Sequence, residues 1–148
     1  MKMYKRIKSD IKEAMKNKNV ELRDCLRMVV DKAKTAMKEK NPTEVIEDIP
    51  DDVIINAVQK EMKQLKQTAD ALYGKEDSNY YQETIYKISI LSQYLPKQMT
   101  KEEVEDAVEK ILSSGEYQNF GMKMKVVMSE LKGKADNNII KEVVETYK

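Results

Sequence analysis

The chain of 148 residues has no histidine and only one cysteine. Without histidine there is no Ser-His-Asp or Cys-His nucleophile and no imidazole metal ligand. A lone cysteine forms no internal disulfide. That residue, Cys25, sits between Asp24 and Leu26 in a helical pattern and reads as a small apolar core residue rather than a reactive thiol. Aromatics at 6%, four glycines and three prolines argue against a sheet protein and for helices with solvated outer faces. Apolar runs never exceed a few residues, so neither a signal peptide nor a spanning segment is expected. The default is a soluble cytoplasmic protein without membrane contact. An excess of one charge is lacking too: 27 basic against 26 acidic residues gives +1. No global field steers the chain onto nucleic acid, so any RNA contact must come from local patches, and no DNA specificity is expected. Phosphate-loop and dinucleotide fingerprints are missing, and no cofactor or metal is expected.

What is present is helical periodicity. Met3, Ile7, Ile11, Ala14 and Met15 share one stripe of a first helix whose other positions are mostly basic. Asn19 can cap a second helix, near 20–40, that buries Leu22, Leu26, Val29, Val30, Ala33 and Met37. An acidic connection leads to Pro50, Asp51 and Asp52, which open a third helix with Ile54, Val58, Met62, Leu65, Ala69 and Leu72 inward, closed at Gly74. A fourth helix reaches Leu95 with a main stripe of Tyr81, Ile85, Ile88, Leu91, Ser92 and Leu95, and a second stripe of Tyr86, Ile90 and Tyr94. That second stripe is expected to dock the C-terminal part, the alternative being base stacking by exposed tyrosines.

Beyond Pro96, Thr100 and Glu103 form a capping box. The helix after it buries Val104, Ala107, Val108, Ile111 and Leu112. Phe120, Met124, Val127, Met128 and Leu131 face one side of a sixth helix, with Met122 and Val126 turned away from it. Asp136 or Asn137 caps a last helix carrying Ile139, Ile140, Val143, Val144 and Tyr147. The expected fold is all-α: an antiparallel N-terminal domain of about four helices over 1–95, and a small three-helix domain over 96–148.

No catalytic constellation emerges. The acidic pairs at Glu47/Asp48, Asp51/Asp52 and Glu102/Glu103 each precede or open a helix, where the macrodipole favours negative charge. The basic edge of the sixth helix is more informative. Lys125 and Lys132 flank its apolar face and Lys134 follows Gly133; with the amides after that glycine they could hold phosphates. Lys123 lies on the opposite flank.

Three patches carry a resemblance: Met15 to Asn19 with Leu26 to Met28; Tyr94 to Glu103; and Gly121 to Met128 with Leu131 to Asp136. The chain resembles the GatB/YqeY family, whose C-terminal part is similar to the tail domain of the B subunit of the glutamine-dependent Asp/Glu-tRNA amidotransferase. The resemblance implies an all-helical fold in two parts and a tail that helps hold tRNA while other domains perform amide transfer. Its carry-over falls on Gly121, Lys132, Gly133 and Lys134, to which the basic edge adds Lys123 and Lys125. It associates the chain with carbon-nitrogen ligase activity using glutamine as amide donor, but the catalytic and ATP-binding parts of that enzyme are absent, so no activity of the isolated chain is expected. Leu65 stands where the family often has arginine, Lys125 where a small residue is common, and Asn137 where glycine often follows. The expected role is a non-catalytic module that associates with tRNA or another structured RNA. The alternatives are a protein-interaction module with a protein partner, and a component of an amidotransferase assembly.

Overall fold

The computed structural model describes residues 2–148, and among these there are seven helices and no strand. They are α1 (Met3–Lys16), α2 (Val20–Lys40), α3 (Asp51–Ala71), α4 (Asn79–Ser92), α5 (Lys101–Ser113), α6 (Phe120–Leu131) and α7 (Asn137–Glu145). The chain divides into two compact units, Met1–Leu95 and Pro96–Lys148, each with its own apolar core.

In the first unit α2 packs against α1 and α3, and α3 against α4. Asn19 starts α2 by accepting the Leu22 amide, and Ser78 starts α4 by accepting that of Tyr81. α1 has no cap of its own side chain. Its Met3 amide donates instead to the Asp51 carboxylate at 3.0 Å, while Lys2 pairs with Asp48 at 2.9 Å. The acidic connection before α3 therefore closes the start of α1, and it buries Ile49 completely.

Two expected faces are corrected. Met15 is 50% exposed rather than core. It ends α1 just before the chain reverses through Lys18, which takes a left-handed φ of +57°, and Arg27 donates to its sulfur at 3.5 Å. On α4 the main stripe is split: Leu91 is fully buried and Ile88 and Leu95 pack on the core, whereas Ile85 is 39% exposed and Ser92 is exposed. Ile90, Leu91 and Tyr94 enter the core of this same unit, which by itself accounts for the burial of the second stripe at Ile90 and Tyr94. The reason is polar. Only Tyr94 can bury its ring and still donate its hydroxyl to Asp10, with the Arg6 guanidinium 4.6 Å above the ring centre. Burial, then the Asp10 hydrogen bond, raises the Tyr94 pKa above the ordinary phenol value.

One charge is buried in this unit. Glu61, 6% exposed, is met by Lys32. Lys32→Met leaves that carboxylate without a cation and is expected to cost about 1–3 kcal/mol, since Lys32 is half in solvent. Urea unfolding measures it; an unchanged midpoint would show that water serves Glu61 equally well.

Candidate nucleic-acid interface

The second unit is built from α5, α6 and α7, and the sequence-nominated residues lie on α6 and on the turn after it. Thr100 and Glu103 form the expected capping box at α5. Asn119 starts α6 by accepting the Met122 amide at 2.9 Å. A Cβ on Gly121 would lie 3.2 Å from that accepting oxygen, so the glycine keeps the cap uncrowded. Val127 and Leu131 are buried, with Phe120, Met124 and Met128 packed beside them. Val126 also packs on this core, which corrects its placement on an outward face; Met122 remains 45% exposed.

Lys125, Lys132 and Lys134 are all exposed. Among the described residues none of the three pairs with a carboxylate. Lys125 and Lys132, seven residues apart, follow one edge of the helix. Lys123 does something else: its ammonium donates to the Tyr147 carbonyl at 2.8 Å and ties α6 to the end of α7. It is a structural crosslink, and its charge is not met by a carboxylate among the described residues.

The turn from Leu131 to Asp136 explains its own composition. Gly133 has φ +82°, a conformation that costs a residue with a Cβ, and it is buried. The Lys134 amide donates back to the Leu131 carbonyl at 2.9 Å, and Ala135 is fully buried. Asp136 caps α7 by accepting the Asn138 amide at 2.7 Å. From the start of the unit, the Gln98 side chain donates to the Gly133 carbonyl at 3.0 Å and the Met99 amide to that of Lys134 at 2.8 Å. These contacts narrow what the turn can offer an anion. The Lys134 amide is spent inside the turn, and the positive end of α7 already holds a carboxylate.

The sequence model of the Yqey-like protein family matches residues 4–147. The chain belongs to that family. A comparison with curated proteins gives no match. In this YqeY-like chain the patches that carried the likeness have visible structural work. Tyr94 closes the first unit, Gln98 and Met99 fasten the start of the second, and Gly133 makes the turn they fasten to. Sequence reasoning missed Gln98, a polar residue in a short link whose acceptor lies 35 residues away.

The remaining chemically notable group is Cys25, at a groove of about 440 Å³ shared with Val20, Glu21, Asp24, Met28, Glu83 and Lys87. Burial pushes its thiol up to about 11, outweighing nearby Lys87. At pH 8 iodoacetamide is therefore expected to react about 100-fold more slowly with the native thiol than with the unfolded chain, because the thiolate is the nucleophile. Equal rates would show that the site opens freely. For the turn, Gly133→Ala is expected to lower stability by about 1–2 kcal/mol. Lys134→Ala should stay within about 0.5 kcal/mol. Equal losses in denaturant titrations would remove the backbone reason for the glycine.

Proposed function

We propose that this YqeY-like chain is a non-catalytic accessory module that associates with folded RNA, tRNA being the first candidate, in the cytoplasm. The observation that carries the reading is the set Lys125, Lys132 and Lys134, exposed and without a carboxylate partner along α6 and the turn after it. Ammonium groups on a rigid helix edge hold phosphates without reading bases, which suits a module that retains RNA while chemistry happens elsewhere. The resemblance of this part to the tRNA-holding tail of the amidotransferase B subunit supports the same role. Association with a glutamine-dependent amide-transferring assembly would then be a use of the module, not an activity of the chain. Of the residues named for a protein partner, Met122 and Tyr86 are exposed, whereas Val126 is packed and Tyr94 is buried.

The test is binding of total tRNA to the full chain over 50 to 200 mM salt. Changing Lys125, Lys132 and Lys134 together to alanine is expected to lower the magnitude of the salt slope by about 2 to 3 units, close to one for each phosphate no longer neutralised. A slope identical to that of the unmodified chain would take these residues out of the interface.

A further inference from the structure

A second basic surface lies on α1. Lys5, Lys8, Lys12 and Lys16 are all exposed. On a helix they fall within about 80° of arc and form a stripe about 16 Å long. Ile7 and Ala14 are buried on the other side, and Tyr4 is buried beside the Lys8 edge, where the Lys8 ammonium lies 4.5 Å from its ring centre. The two carboxylates of α1 lie off the stripe, and Asp10 is engaged by the Tyr94 hydroxyl. Arg27 of α2 extends the surface, since its contact with Met15 brings the guanidinium beside the Lys12–Lys16 end. Among the described residues none of these five cations has an ion pair. Asp31, exposed one turn beyond Arg27 on α2, pairs with none of them.

The arrangement opposes helix stability. Lys8, Lys12 and Lys16 are successive i, i+4 neighbours of like charge, which repel. The apolar side of α1 is buried in its own unit, so nothing is left to insert into a bilayer. A protein partner would need apolar anchors among the cations, and the stripe offers only Met15. A duplex backbone needs none, and one strand alone carries a phosphate about every 3.4 Å, so a stripe of this length can meet several. We propose that the Lys5, Lys8, Lys12, Lys16 and Arg27 surface docks the phosphate backbone of a duplex region of a folded RNA. The choice of RNA rests on the function proposed above; the placement on α1 does not.

The full chain carrying Lys5→Gln, Lys8→Gln, Lys12→Gln and Lys16→Gln is titrated with total tRNA between 50 and 200 mM salt. Arg27→Gln and Lys12→Glu are made singly, and circular dichroism checks each fold. The fourfold variant is expected to lose about three to four units of salt slope and Arg27→Gln about one. If the fourfold variant does not fold, the two single variants decide. Loss in the α1 variants, with binding kept by Lys132→Ala plus Lys134→Ala, supports this surface and counts against the α6 edge. An unchanged slope in the α1 variants overturns the inference, whatever the α6 variants do. Binding to anionic vesicles or polyglutamate in preference to tRNA overturns it as well.

Discussion

The left-handed backbone at Gly133 is the constraint on which the second unit depends. It lets the chain leave α6 and enter α7 within a few residues, and it turns the Gly133 and Lys134 carbonyls to where Gln98 and Met99 can donate to them. Those carbonyls follow a helix C-terminus, which already leaves acceptors without partners, so the two donors answer a need the helix creates. Once the turn is held, Asp136 meets the first amides of α7, and Val143 and Val144 close over Val127 and Leu131. The basic side chains of the turn point outward because its backbone and Ala135 are occupied inward.

The first unit solves a comparable problem from the opposite end of a helix. α1 begins without a capping side chain and with no acidic residue in its first turn. Asp51 and Asp48, which by position alone belong to the start of α3, supply what is lacking by accepting from Met3 and Lys2. A hydrogen bond from Lys2, reinforced by its charge, holds the Asp48 carboxyl below the usual range. Protonation of Asp48 in acid therefore weakens the closure of α1. Buried Ile49 sits between these carboxylates and fixes the segment that carries them.

Helix existence was legible because it depends on local patterns: apolar spacing along each helix, and caps at Asn19, Thr100 and Asp136 that act within three residues. The face presented by α4 was not legible, since both of its stripes are apolar. The choice turns on Asp10, which is 84 residues from Tyr94. Met15 misled because periodicity does not show where a neighbouring helix stops covering the face. The exposure of Lys125, Lys132 and Lys134 followed from their positions on α6 and its turn, whereas the commitment of Lys123 to Tyr147 depends on where α7 ends. Gly133 was singled out as a site residue, and its backbone conformation accounts for the glycine without any ligand.

The two groups of lysines do not weigh equally as evidence for an anionic partner. Lys132 and Lys134 follow the C-terminus of α6, the negative end of its dipole, where a cation is stabilising by about 0.3–1 kcal/mol. The fold alone gives them a reason to be basic. On α1 the electrostatics run the other way. Each i, i+4 lysine pair costs about 0.2–0.5 kcal/mol, and Lys5 adds positive charge near the positive end of the helix. Only Lys16 sits where the dipole favours it. Lys8 gains a partner from the fold in the Tyr4 ring, so Lys5 and Lys12 are the α1 lysines for which local electrostatics supply the least reason to be basic.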